Sequence, residues 1–255
     1  MSETAPKTNS GNFFEDFSVG QELVHATPRT ITAGDVSMYT ALYGSRFAVT
    51  SSDELARAIG LRAAPVDDLL AFHMVFGKTV PDVSLNAVAN LGYANGVFGV
   101  PVYPGDTVST RSTVIGLKEL SNGKAGVVYV RSVGKNQRGE VVLDYCRWVM
   151  VNKRDPASPA PATVVPELPK VVPPSAFRIP EGLHVENYDL AISGSPHVWD
   201  DYEAGETIDH VDAHGPGRIA LRDGESILGR AIGRREGQRV QSQLAEAIEE
   251  ALVAR

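Results

Sequence analysis

Val66-Asp67-Asp68-Leu69-Leu70-Ala71-Phe72-His73-Met74-Val75-Phe76-Gly77 is apolar on almost every side when wound as a helix. Its two acids sit in the first turn, where the helix dipole favours them. A helix apolar all round is a buried one. From residue 87 to 151 the period changes to that of strands: Val97-Phe98-Gly99-Val100-Pro101-Val102-Tyr103, then 107–115, 126–133 and 140–151. Pro104-Gly105-Asp106 and Asn136-Gln137-Arg138-Gly139 are among the turns between them. One buried helix followed by an antiparallel meander implies a sheet curled around that helix, so the fold class is α+β rather than α/β.

Upstream, Thr32 and Asp35 have capping-box spacing ahead of a short helix that carries Val36, Tyr39 and Tyr43 on one face and ends at Gly44. Ser52-Asp53-Glu54 opens a second short helix, with Leu55, Ala58 and Ile59 on one side and Gly60 as its stop. Further out, a motif occurs twice. Phe14-Glu15-Asp16-Phe17-Ser18-Val19-Gly20-Gln21-Glu22-Leu23-Val24-His25 returns as Trp199-Asp200-Asp201-Tyr202-Glu203-Ala204-Gly205-Glu206-Thr207-Ile208-Asp209-His210, with Asp, Gly and His identical. The chain therefore begins one domain, completes it and begins it again.

Seven prolines between Arg154 and Arg178 make an extended, semi-rigid linker of residues 154–178. It follows a domain of residues 1–153 and precedes an incomplete second copy, 179–255. From Ala213 to Arg239 the chain carries six Gly and six Arg in 27 residues, with no strand alternation. An altered reading frame or a truncation after Asp212 is expected, with a natural divergent tail as the alternative.

With 255 residues, 43% hydrophobic and 22% charged, the composition is that of an ordinary globular protein. The net charge of −7 speaks against nucleic acid as a partner. No apolar leader or run of 18 apolar residues points to a membrane, so a cytoplasmic location is expected. Cys146, the one cysteine, lies in a strand-like run and reads as a packed, inert thiol. The histidines show no metal-ligand spacing, and no metal or other cofactor is expected.

Several runs resemble the MaoC-like hydratases of the hot-dog fold. They are the opening Phe14–Gly20 segment, Arg29-Thr30-Ile31-Thr32 before a helix ending in Tyr43-Gly44, and the turn Pro101-Val102-Tyr103-Pro104-Gly105-Asp106-Thr107. Longer runs, Tyr39 to Ala48, Ala64 to Asp82 and Leu85 to Tyr93, are similar to the mesaconyl-CoA hydratase (β-methylmalyl-CoA dehydratase) group within that family. The resemblance implies a hot-dog fold and a cofactor-free hydratase/dehydratase acting on an acyl-CoA thioester. A lone hot-dog sheet leaves edge strands unpaired and one end of its tunnel open, so a homo-oligomer or a hot-dog partner subunit is expected. Such chemistry needs a carboxylate and an imidazole beside the double bond, and N–H groups to receive charge on the thioester oxygen.

In MaoC-like hydratases the acid and imidazole come from a Gly-Asp-x-Asn-Pro-x-His run. Here the run reads Gly44-Ser45-Arg46-Phe47-Ala48-Val49-Thr50, with Ser45 in place of the acid and Thr50 in place of the imidazole. The first domain is thus expected to shape the acyl site while a second supplies the catalytic pair, and no catalytic residue is assigned. Arg46 is a candidate for gripping the free carboxylate of a dicarboxylic acyl group, a surface ion pair being the alternative. Arg62 is a second candidate for the same role. Asp67 either stabilises the N-terminus of the buried helix or serves at the substrate as a catalytic carboxylate, as in some hot-dog thioesterases. His73 is expected to be a buried, hydrogen-bonded histidine. Two rival functions stay open: a non-catalytic acyl-CoA-binding half that needs a partner, and an acyl-CoA thioesterase.

Overall fold

The computed structural model of the chain describes residues 8–43, 47–194 and 196–208. The expected break after Asp212 and the tail beyond it lie outside these residues, as do Ser45, Arg46 and His210. The described chain forms two compact units: residues up to Thr32 with Val66–Glu181, and Ala33–Pro65 with the segment from Gly182 on.

The first unit is built on five antiparallel strands, β1 (Glu22–Thr30), β2 (Ala87–Phe98), β3 (Thr107–Glu119), β4 (Ala125–Lys135) and β5 (Val141–Asn152), in the spatial order β1-β3-β4-β5-β2. The helix over 68–79 packs on this sheet, which is the hot-dog arrangement. That helix starts where the sequence implies. The Asp67 side chain accepts from the Leu69 amide at 2.9 Å and Asp68 follows in the first turn. Its inward face presents Leu70, Ala71, Val75 and Thr79 to the sheet. The approach is close at Gly134, where a Cβ would collide with the Val75 methyls. Thr110 on β3 also donates its hydroxyl to the Val75 carbonyl at 3.3 Å. Beyond the helix C-terminus, Phe14, Phe17 and Val83 close the core against Val114, Leu117, Val128, Val130, Val149 and Val151.

β1 and β2 are the sheet edges, and neither showed as a full strand in the sequence. β1 is exposed along most of its length, and the pairing of β2 slips three times, between Ala87 and Ala89, Asn90 and Gly92, and Ala94 and Val97. Both features erase the two-residue alternation on which strand reading depends. After β5, the proline-rich chain returns to the sheet. The Lys153 ammonium, almost wholly buried, donates to the Pro156 and Ser158 carbonyls and to Glu119, and Val164 exchanges backbone hydrogen bonds with Leu117 at 2.8 Å.

In the second unit, α1 (Ala33–Tyr43), α2 (Ala48–Ser51) and α3 (Asp53–Ala58) are short, and the buried helix of the first unit is α4 (Asp68–Thr79) in chain order. Ser52 caps α3 through the Leu55 amide at 3.2 Å. Carbonyls at the end of α3, left without intrahelical partners, are taken up by the later chain: His184 N–H bonds to Ile59 O and Asn187 Nδ2 to Ala58 O, both at 2.9 Å. On α1 only Tyr39 of the expected apolar face is buried, with Tyr43 exposed and its ring 4.7 Å from that of Tyr39.

The two copies of the repeated motif fold alike locally. Asp16 accepts from Phe13 N–H at 2.9 Å, and Asp201 accepts from Val198 N–H at 2.8 Å, each within a one-turn 3-10 helix. Gly20 and Gly205 then turn the chain at φ of +86° and +91°, a conformation that favours glycine.

Candidate functional site

Strand alternation puts every second side chain of the sheet toward α4, and most of these are apolar. A row of polar groups interrupts them. Ser112 on β3, Ser132 on β4 and Tyr145 on β5 are neighbours in register, and His25 on β1, which pairs with Thr110, reaches the row diagonally through Ser112. The side chains are linked: His25 Nε2 lies 2.8 Å from Ser112 Oγ, which lies 2.7 Å from Ser132 Oγ. On its other side, His25 Nδ1 meets Asp82 Oδ2 at 2.7 Å.

The hydrogen-bond network assigns the tautomer. Nδ1–H donates to the carboxylate, so Nε2 accepts the Ser112 hydroxyl proton and Ser112 in turn accepts from Ser132. Burial holds the His25 imidazole below its ordinary pKa, outweighing the hydrogen bond and charge of Asp82, and the positive charge of Arg147 adds to the lowering. His25 is therefore neutral, with both ring nitrogens engaged. It cannot act on a substrate without giving up one of these partners.

Arg147, two residues beyond Tyr145 on the same face of β5, is wholly buried. Its Nη2 donates to Thr79 Oγ1 at 2.7 Å and Ser84 Oγ at 3.3 Å, and its Cζ lies 4.5 Å from the centroid of the Phe76 ring. Among the described residues, Nε and Nη1 have no hydrogen-bond partner. The buried Tyr145 hydroxyl lies among the hydroxyls of Ser132 and Thr79, its hydrogen-bonding neighbours. Burial lowers the pKa of Arg147 and raises that of Tyr145. A guanidinium nonetheless stays charged.

The residues singled out from the sequence are placed as follows. Asp67 caps α4 with its carboxylate. Asp68, open on one side yet crowded on the other, is held above the ordinary carboxylate range by lost hydration and by the charge of Asp67. Arg62 is exposed in the second unit and offers its carbonyl to Arg57 Nε. Thr50 returns its hydroxyl to the Phe47 carbonyl at 3.0 Å. His73 corrects the expectation of burial: it is exposed, edge-on to Phe72, because the α4 face carrying Leu69 and His73 points away from the sheet. Cys146 is buried, and burial pushes its thiol up.

Sequence reasoning missed Asp82, Ser112, Ser132 and Arg147 altogether. The available signal was parity: in Leu143-Asp144-Tyr145-Cys146-Arg147-Trp148-Val149, the arginine shares the face of Leu143 and Val149. Among the described residues no group of three or more His, Cys, Asp and Glu could hold a metal ion, and no helix is long and apolar enough to cross a membrane.

A family model described as mesaconyl-CoA hydratase matches residues 1–212. Over 206 residues the chain is 66% identical to the beta-methylmalyl-CoA dehydratase of Chloroflexus aurantiacus, covering 81% of this chain and 58% of that one. Over 222 residues it is 63% identical to the mesaconyl-CoA hydratase of Cereibacter sphaeroides, covering 87% and 63%. Among solved structures, a MaoC domain protein of Chloroflexus aurantiacus aligns with a TM-score of 0.79 at 65% identity, over 82% of this chain and 59% of that one. The chain spans about three fifths of the length of the curated relatives it matches.

Proposed function

Because the chain belongs to the mesaconyl-CoA hydratase family, we propose that it serves the reversible hydration of an α,β-unsaturated acyl-CoA, interconverting β-methylmalyl-CoA and mesaconyl-CoA plus water. The observation that carries this reading is the identity of 66% and 63% to two relatives named for these two directions of one reaction. The hot-dog unit described here shapes the acyl site. The carboxylate and imidazole that handle water and the α-carbon proton come from a second hot-dog domain. Ser45 and Thr50 in the degenerate motif support that division, and so does His25, whose two nitrogens are both occupied.

A partner hot-dog, from a second copy or another subunit, covers what the first unit leaves open. Among the described residues no strand pairs with the outer edge of β2, where Val88 and Tyr93 are exposed, and α4 shows Leu69 to solvent although the helix is apolar nearly all round. Unpaired strand edges and apolar stripes of this kind are ordinarily covered.

The test is to incubate the purified chain with mesaconyl-CoA, follow loss of the enoyl-thioester absorbance and look for a product heavier by one water. Hydration by the chain alone, or only after a hot-dog partner bearing an Asp/His pair is added, separates the stand-alone enzyme from the acyl-CoA-binding half. Release of free thiol with no hydrated product would replace the reading with a thioesterase.

A further inference from the structure

We propose that Arg147 and Tyr145 form a buried carboxylate-binding site that receives the free carboxylate of a dicarboxylic acyl group. The source of that carboxylate rests on the hydratase reading above; the site itself rests on the side chains.

Arg147 is fully buried, and among the described residues no Asp or Glu pairs with it. A permanent charge out of water is costly unless paired and hydrogen-bonded. The Phe76 ring face and the Thr79 and Ser84 hydroxyls offset part of this cost, but they engage only Nη2 and the π-face of the guanidinium. Among the described residues nothing takes up the N–H donors on Nε and Nη1. Two residues away on the same strand face, the buried Tyr145 hydroxyl sits among the Ser132 and Thr79 hydroxyls and is a further O–H group that can turn to an anion. Positive charge together with spare N–H donors and a neighbouring O–H is complementary to a carboxylate, which only accepts.

The site is one hydrogen-bonded side chain from solvent. Ser84 is half-buried at the end of the π-helical turn Val80–Ser84, a wider winding that recurs at functional sites. An acyl chain entering beside this turn would place its charged end on Arg147, and an acyl chain ending in a methyl group would leave the guanidinium unpaired. The site therefore selects dicarboxylic over monocarboxylic acyl groups.

Equilibrium binding by calorimetry on the full chain tests this without requiring turnover. Mesaconyl-CoA should bind about tenfold or more tighter than crotonyl-CoA, which lacks the second carboxylate. In Arg147→Met the preference should vanish while crotonyl-CoA affinity stays within about twofold, and Tyr145→Phe should weaken it several-fold. Should Arg147→Met not fold, Arg147→Lys, which keeps the charge and loses the planar fork, should cut the preference. A folded Arg147 variant that keeps the full preference overturns the proposal.

If neither ester binds, the acyl-CoA reading fails and the anion site is tested by itself, with free mesaconate and chloride in a thermal unfolding assay. A rise in Tm with mesaconate, absent in the Arg147 variant, sustains the carboxylate site. No rise, or an equal rise with chloride, overturns it.

Discussion

His25 and Asp82, 57 residues apart, meet through Nδ1 and Oδ2 at 2.7 Å, with the imidazole buried and the carboxylate side chain 30% exposed. The pair ties the edge strand β1 to the turn that follows α4, and the Ser112–Ser132 hydroxyl chain continues it across the sheet. Because the imidazole is desolvated, its folded-state pKa lies below the ordinary 6.5, so the unfolded chain takes up the proton first as pH falls. The stability this group contributes is fully present above about pH 6.5 and is lost as pH falls from there through the folded value.

The urea midpoint of the protein should accordingly drop between pH 7.5 and pH 5.5, and His25→Gln should flatten that dependence. At pH 7.5, His25→Ala should cost about 2–4 kcal/mol, since it leaves a cavity and unpairs both Asp82 and Ser112. An unchanged pH profile in His25→Gln would place the proton-linked group elsewhere.

The sequence was legible wherever one side chain pattern had one structural cause. α4 could be read because an apolar run bounded by Asp67 and Gly77 leaves few alternatives, and β3, β4 and β5 because both flanks of each are paired. β1 and β2 were not legible as strands, since exposure along β1 and three register slips in β2 remove alternation. The polar row was hidden for a different reason. Ser112, Ser132 and Arg147 are ordinary strand residues until the register sets them beside residues from β1 and the turn after α4. Contacts of that kind are made by topology, which a local pattern does not encode.

Asp67 distinguishes capping from chemistry. Asp67→Ala should destabilise the protein by about 1 kcal/mol through loss of the Leu69 N–H bond, while Asp67→Asn, an equally good cap, should cost only a few tenths. If Asp67 acts only as a cap, any acyl-CoA activity should survive in Asp67→Asn. Loss of activity in a stable Asp67→Asn would instead assign the carboxylate a role at the substrate.

Gly134 sets how closely α4 lies on the sheet. Gly134→Ala should cost about 1–3 kcal/mol because its methyl group enters the space of the Val75 methyls. Val75→Ala alone should also destabilise, by removing a fully buried side chain. Combined, the two changes should cost less than the sum of the singles, with a coupling of at least about 0.5 kcal/mol by a double-mutant cycle in urea. Strict additivity would mean that the sheet yields at Gly134 without involving Val75.

Asp16 and Asp201 provide the same turn with different surroundings. Both carboxylates accept from the amide three residues earlier, but Asp16 also holds the Arg154 guanidinium at 2.7 Å, and the Arg154 and Asp155 amides bind Glu15 beside it. The first copy is thereby fastened to the chain leaving β5, whereas the His197 ring is 4.0 Å from Asp201. Asp16→Ala should therefore lower the global urea midpoint, with a cost of about 1–2 kcal/mol for the lost cap and partly exposed ion pair. Asp201→Ala should leave that midpoint nearly unchanged and show itself only as faster hydrogen exchange at the Val198 amide, because a turn held by local bonds opens without the sheet. Equal shifts in the midpoint for the two variants would mean that the second copy is as firmly integrated as the first.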